Sequence, residues 1–193
     1  MDDSLAKIRH ERSKKDYPRL RLADDEYVEF VFKRAKICLF LIMGGTAVSV
    51  ILILIAFLVF LLGQARIDEM GQRFLFIMLG ALLFAAVIIG AIAYIVYSGN
   101  RLFVTNKHVI QLIMNSLVSS SENMIDLPSI EDVSFKQEGI MQQMFHYGTL
   151  RLATVGDETT YTFKYSDISR EQLKAVSKMV TEAKNKKASK KDD

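Results

Sequence analysis

The side chains that most often carry out catalysis or bind metal ions are few in this chain and lie far apart. The three histidines, His10, His108 and His146, have no acid or cysteine at the spacing of a metal ligand. Glu131 and Asp132 are adjacent, so on a strand they point to opposite faces and cannot share a proton. There is no glycine-rich phosphate loop and no serine in a nucleophile-elbow motif. These observations predict a protein that is not an enzyme and uses no cofactor or metal ion.

Charge and cysteine content narrow the classes of partner further. The net charge is only +3 and the basic residues do not interleave with aromatic ones, which argues against nucleic acid. The single cysteine, Cys38, excludes a disulfide framework and a cysteine-rich metal site. We interpret Cys38 as a small buried hydrophobic residue, with reversible lipidation as the alternative.

A short apolar segment between Gly139 and Gly148 could contact a partner. Its apolar side chains are spaced by four, so a short helix would present them on one face. Exposed apolar patches mark contact surfaces, and methionine adapts to varied partners. The alternative is that these side chains close one end of the core. The candidate partner contacts are Ile140, Met141, Met144 and Phe145.

Basic residues in the C-terminal half of the chain could bind anionic lipid. Each lysine close to an anionic leaflet contributes about 1 kcal/mol, an effect that fades beyond a Debye length. The alternative for the lysine-rich C-terminus is a solubilising tail. The candidate lipid contacts are Arg101, Lys107, Lys184, Lys186, Lys187, Lys190 and Lys191.

Two long apolar stretches dominate the first half of the chain. Residues 37–63 and 74–98 contain no Asp, Glu, Lys or Arg. A helix rises about 1.5 Å per residue, so each stretch can cross a hydrocarbon core of roughly 30 Å. The sequence therefore predicts two transmembrane helices joined by a short extracytoplasmic link over 64–73.

The distribution of basic residues predicts the orientation of this hairpin. The link carries only Arg66 and Arg73, whereas more basic residues lie on the other side, so both termini are expected in the cytoplasm. Small residues in both stretches are compatible with packing of the hairpin on itself or with homo-oligomers. The basic residues that flank the spans are Lys33, Arg34, Lys36, Arg101 and Lys107.

The segment before the first span divides into two parts. Residues 1–23 are charged and lack periodicity, which predicts a flexible arm. In 24–36, Tyr27, Phe30, Val31 and Arg34 have helical spacing after three acids, and we predict a juxtamembrane interfacial helix. The same segment also alternates like a strand, which is the competing interpretation.

After the second span the hydrophobic period changes from 3.6 to 2. Six short apolar segments read as antiparallel strands, with turns at Asn106-Lys107 and at 156–158. A helix then begins at a capping box formed by Ser169 and Gln172, and its apolar face must cover the sheet. This soluble domain is predicted over 99–183, and 184–193 is predicted to be a disordered lysine-rich tail. The predicted strands are 101–106, 108–113, 124–127, 130–135, 149–155 and 159–165.

Three stretches carry a family resemblance. They are RLFVTNKHVI at 101–110, IDLPSIEDVSFKQEGIMQQMFHYGTLRLAT at 125–154 and LADDEY at 22–27. Together with the two spans, they resemble the bacterial pleckstrin-homology (PH) family of YdbS-like membrane proteins. That family has a "VTN–RVI" hairpin soon after a transmembrane helix. The chain departs from it at His108, where Arg is usual, at His146, where Gly is common, and in the serine-rich loop 115–123.

The resemblance implies the fold class and the kind of function. The expected fold is an α+β membrane protein, with a transmembrane hairpin followed by a PH-like antiparallel barrel or sandwich capped by a C-terminal helix. The implied function is a membrane-anchored binding or scaffold module at the bacterial inner membrane, whose partner is another protein or a second copy. The alternatives are a module that senses anionic lipid, and an accessory subunit of a larger transport or envelope complex.

Overall fold

The computed structural model describes residues 2–63, 69–154 and 160–189, which form five α-helices and seven strands. The helices are α1 (Asp2–Asp16), α2 (Lys36–Leu62), α3 (Glu69–Gly99), α4 (Ile140–Met144) and α5 (Arg170–Ser189). The strands are β1 (Val28–Lys33), β2 (Arg101–Thr105), β3 (His108–Met114), β4 (Ser120–Asp126), β5 (Ile130–Lys136), β6 (Gly148–Thr154) and β7 (Thr160–Ser166).

The helix pair α2 and α3 interrupts the first sheet. This antiparallel sheet has the order β1-β2-β3-β4, and β1 precedes α2 whereas β2 follows α3. Phe32 is paired with Leu102, and both are buried in the core. The folded domain therefore begins before the helix pair, so the predicted boundary of 99–183 omits one of its strands.

The second sheet has the order β5-β6-β7 and follows a 3-10 turn at Leu127–Ser129. Its apolar face supplies Leu150, Leu152 and Phe163 to the same core that the first sheet fills. A single bridge between Arg34 and Ser166 connects the sheets in the described residues. The prediction named a barrel or a sandwich; in the described residues the strands form two separate sheets and no closed barrel, so the barrel form is wrong.

The helix α5 covers the core as its sequence pattern predicts. The capping box is present: the Ser169 amide donates to Gln172 Oε1 at 3.0 Å, and the Gln172 amide donates to Ser169 Oγ at 3.2 Å. Val176 and Val180 are buried among the residues of both sheets. The helix continues to Ser189, so residues 184–189 of the predicted disordered tail are helical.

The predicted juxtamembrane helix over 24–36 is wrong, and the competing strand is present. Asp25 has φ 62°, which is incompatible with a right-handed α-helix. Residues 28–33 form the strand β1, which pairs with β2. In this strand Phe32 faces the main core, while Val28 and Val31 pack on a second cluster around Phe103. Apolar residues on both faces explain why the spacing also fits a helix.

The predicted flexible arm over 1–23 is also wrong, since α1 occupies most of it. The amide of Val28 donates to Ser13 Oγ at 3.0 Å, so α1 is attached to the start of β1. Leu20 is buried, and the Tyr17 ring meets Phe103 edge-on with 5.1 Å between centroids. These contacts are largely polar or lie beyond α1, so helical periodicity could not reveal them.

The two long helices have the length and apolar composition needed to cross a membrane. They pack on each other at Gly90, where an added Cβ would lie 2.9 Å from Thr46 Cγ2, and through Phe57 and Phe76. The predicted link is shorter than expected because α3 already begins at Glu69. Residues 64–68 and the predicted turn at 156–158 lie outside the described residues.

The end of β7 breaks the predicted alternation. Tyr165 has φ 59° and is exposed, whereas the next residue, Ser166, is buried. This irregularity leaves the Tyr165 carbonyl free to accept a hydrogen bond from the Ala35 amide, just before α2. The second sheet is thereby attached to the base of the helix pair.

Candidate binding site

The buried carboxylate of Glu26 joins the N-terminal segment to the β2–β3 hairpin. Glu26 is fully buried, and its oxygens accept hydrogen bonds from Thr105 Oγ1 at 2.6 Å, His108 Nδ1 at 2.8 Å and the Ala23 amide at 2.9 Å. Burial by itself raises the pKa of Glu26, but the hydrogen bonds from Thr105, Ala23 and His108 outweigh it and hold the pKa below its usual value. Both oxygens are occupied, so this carboxylate is a structural anchor and not a general base.

The turn between β2 and β3 holds the same segment through its polar atoms. Asn106 Oδ1 accepts from the Tyr27 amide at 3.0 Å, and Asn106 Nδ2 donates to the Asp25 carbonyl at 3.0 Å. Lys107 Nζ donates to the Asp24 carbonyl at 2.7 Å. The LADDEY and VTNKH motifs are therefore two halves of one contact, and their residues serve the fold.

His108 is flanked by carboxylates on both sides. Its Nδ1 faces Glu26, and its Nε2 lies 3.2 Å from Asp126 Oδ1. Sequence reasoning missed this cluster because Glu26 is 82 positions from His108 and only folding brings them together. In the described part of the chain, no group of three or more His, Cys, Asp or Glu side chains has the arrangement of a metal site.

A groove of about 850 Å³ opens beside this cluster, between β1, the β2–β3 turn and α5. Its floor is apolar and its rim carries both signs of charge, a combination that suits a polypeptide segment better than a single small anion. The apolar lining includes Phe30, Leu127, Pro128 and Met179; the charged lining includes Glu29, Lys107, Asp126, Lys178, Glu182, Lys186 and Lys187.

The structure separates the candidate lipid contacts. Arg101 starts β2 next to the helix pair, whereas Lys107 follows its other end. Lys186 and Lys187 line the groove with Lys107, and Lys184 Nζ donates to the Glu131 carbonyl at 3.0 Å. Lys190 and Lys191 lie outside the described residues. Within the described residues, the structure therefore does not bring Arg101 together with Lys107, Lys186 and Lys187.

The candidate partner contacts on and after α4 are exposed. Ile140 is 81% exposed and Met144 57%, with Met141 and Phe145 also in solvent. Tyr147, not these four, is the buried aromatic residue of the segment. The interpretation that the four side chains close one end of the core is therefore wrong.

Comparison with known proteins assigns the family. A family model described as "Bacterial PH domain" matches residues 37–184. The chain belongs to the bacterial PH domain family. The match does not separate the YdbS-like group from other members. No relative among curated proteins matches the chain.

One solved structure to which this PH protein is similar comes from Shewanella loihica PV-4. It is described as a DUF1696 family protein with a pleckstrin-homology domain. The identity is 12% and the TM-score 0.33, over 44% of this chain and 70% of the other.

The family match and the structure differ at the N-terminal boundary. The match begins at residue 37, so it excludes β1 and the segment with Glu26. The structure nevertheless places this segment in the PH domain through the β1–β2 pairing and the Glu26 hydrogen bonds. PH domains are generally binding modules and not enzymes.

Proposed function

We propose that this bacterial PH protein is an integral protein of the cytoplasmic membrane whose PH domain binds a protein segment at the cytoplasmic face. The segment belongs to a partner protein or to a second copy of the chain. The spans keep the domain at the membrane, and the groove beside α5 is the recognition surface.

The observation that carries the proposal is the pairing of β1 with β2 across the helix pair. Because the sheet closes over the base of α2 and α3, the domain cannot separate from them without losing a strand. Tyr97 Oη also donates to the Ala35 carbonyl at 2.9 Å, which ties the end of α3 to the start of α2.

Insertion of the helix pair in a bilayer is supported by its exposed apolar surface. Side chains such as Leu58 and Ile77 are 55% and 69% exposed, and lipid would cover them. The basic residues at the base of the helices favour a cytoplasmic location for the PH domain.

The groove supports protein recognition through its shape and chemistry. It can bury apolar side chains against Phe30 and Met179 while its rim pairs with charges of either sign. Charged rims favour selectivity among partners, and the apolar floor supplies most of the affinity.

Site-specific photocrosslinking in cells tests this assignment. A photoreactive residue at Lys178 or Lys187, both on the groove, should trap one discrete adduct. The same residue at Lys164, which is exposed outside the groove, is the matched control and should trap none. The mass of the adduct distinguishes a partner from a second copy. Equal crosslinking at Lys164, or no discrete adduct at either groove position, would contradict the groove as the recognition surface.

A further inference from the structure

Most of the exposed large apolar side chains outside the helix pair collect at one end of the PH domain. They come from two loops that are distant in sequence: Leu117 and Val118 between β3 and β4, and Ile140, Met141, Met144 and Phe145 between β5 and β6. Val118 is 97% exposed and Ile140 81%. We call these six residues the proximal patch.

The first loop lies beside the end of α3. The Met114 amide donates to Asn100 Oδ1 at 3.2 Å, and Met114 packs against Gly99, so the end of β3 is level with the last turn of α3. The chain then continues beyond that level through 115–119 before β4 returns. Leu117 and Val118 therefore lie at the end of the PH domain that adjoins the helix pair.

The second loop lies beside the start of α2. Tyr147, which follows the four apolar residues, is buried, and its ring centroid lies 6.3 Å from that of Tyr165. The Tyr165 carbonyl accepts a hydrogen bond from the Ala35 amide, just before α2. The segment 140–145 therefore also lies at the base of the helices.

Basic residues also lie at the base of the helix pair. Lys33 is paired with Arg101 across β1 and β2, and Lys36 opens α2. An apolar surface at the base of two apolar helices, next to a row of cations, has the composition of segments that lie in the interface of a bilayer.

We propose that the proximal patch is covered by the bilayer itself, with its side chains in the boundary between headgroups and acyl chains. The patch continues the lipid-facing surface of α2 and α3, which is why we assign it to lipid and not to a protein. This inference rests on the proposed insertion of the helix pair. The domain would then rest on the membrane in a fixed orientation, with the groove pointing away from it.

The chain contains no tryptophan, so the tryptophan fluorescence of a single-tryptophan variant comes from the introduced residue alone. The full-length protein is reconstituted in liposomes, and quenching by lipids brominated high or deep in the acyl chain is compared with quenching by aqueous acrylamide. The patch probes are Ile140→Trp and Val118→Trp. Ile8→Trp is the matched control, because Ile8 is a 62% exposed isoleucine on α1. Leu58→Trp reports whether α2 is inserted.

The inference predicts several-fold stronger bromolipid quenching at the two patch probes than at Ile8→Trp, strongest with the shallow bromines. A depth of about 5–10 Å is typical of interfacial segments. Quenching at Leu58→Trp without quenching at either patch probe would overturn the inference and leave insertion intact. Shielding of the patch probes from acrylamide without bromolipid quenching would mean that protein covers the patch, and would also overturn it. Absence of quenching at Leu58→Trp would overturn insertion and the inference together.

Discussion

At the scale of single residues, Glu26 determines how the N-terminal segment meets the β2–β3 hairpin. A buried carboxylate is costly unless its oxygens are hydrogen-bonded, and here Thr105, His108 and Ala23 supply those bonds.

The lowered pKa of Glu26 predicts a specific pH dependence of stability. A carboxyl whose pKa is lower in the folded state stabilises the fold above its unfolded pKa of about 4.3 and loses that contribution as pH falls through the folded value. Glu26→Gln should lower the free energy of unfolding at neutral pH by about 1–3 kcal/mol. It should also flatten the acid loss of stability, as measured by thermal unfolding in detergent. The control is Glu122→Gln at an exposed position, and an acid loss as steep in Glu26→Gln as in the wild type would contradict the assignment.

The backbone of His146 makes a second prediction at this scale. His146 has φ 54°, a region that costs a side chain-bearing residue about 1–2 kcal/mol and glycine nothing. Glycine's extra entropy in the unfolded chain offsets roughly 0.5–1 kcal/mol of that gain. His146→Gly should therefore raise the free energy of unfolding by about 0.5–1 kcal/mol, whereas His146→Ala should bring no gain. A loss of stability in His146→Gly would show that the imidazole makes a contact worth more than the strain.

Residue-level prediction from sequence succeeded where the pattern is local. The reciprocal hydrogen bonds of Ser169 and Gln172 follow from two residues three positions apart. The cluster of Glu26, Thr105 and His108 does not, because its members become neighbours only when β1 pairs with β2.

At the scale of elements, β1 shows the limit of periodicity. Its apolar residues face two clusters, one around Phe32 and one around Phe103, so they satisfy helical and strand spacing at once. Pairing with β2 decides between the two, and no residue within 24–36 signals that pairing. The strands β5 and β6 were easier to predict, since along most of their length more buried residues alternate with more exposed ones.

The β5–β6 connection is the element most sensitive to a single methyl group. A Cβ at Gly148 would lie 2.5 Å from the Lys136 carbonyl oxygen and 2.8 Å from Phe135 Cζ. Gly148→Ala should lower the free energy of unfolding by about 1–3 kcal/mol, because the backbone of β5 must move. Thermal unfolding in detergent measures the change. Gly45→Ala is the control, since nothing lies within 4 Å of its added Cβ, and equal effects of the two variants would contradict this account.

At the scale of the whole molecule, the helix pair is an insertion within the PH domain and not a separate anchor before it. Both apolar helices and the family could be predicted from the sequence, because the helices are long apolar stretches and the family has distinctive motifs. Only the structure shows that one strand of the first sheet, β1, precedes the insertion and that its neighbour β2 follows it. A truncation that removes residues before α2 would therefore delete an edge strand and expose β2.

The central claim is that two spans hold the PH domain on the cytoplasmic side of the membrane. Its most direct test is labelling of intact spheroplasts with a membrane-impermeant maleimide, using single cysteines in a Cys38→Ser background. Met70→Cys lies at the start of α3 at an exposed site, and Ser177→Cys is exposed on α5. The account predicts that Met70→Cys reacts in intact spheroplasts and that Ser177→Cys reacts only after the membrane is permeabilised. Labelling of Ser177→Cys in intact spheroplasts would contradict it.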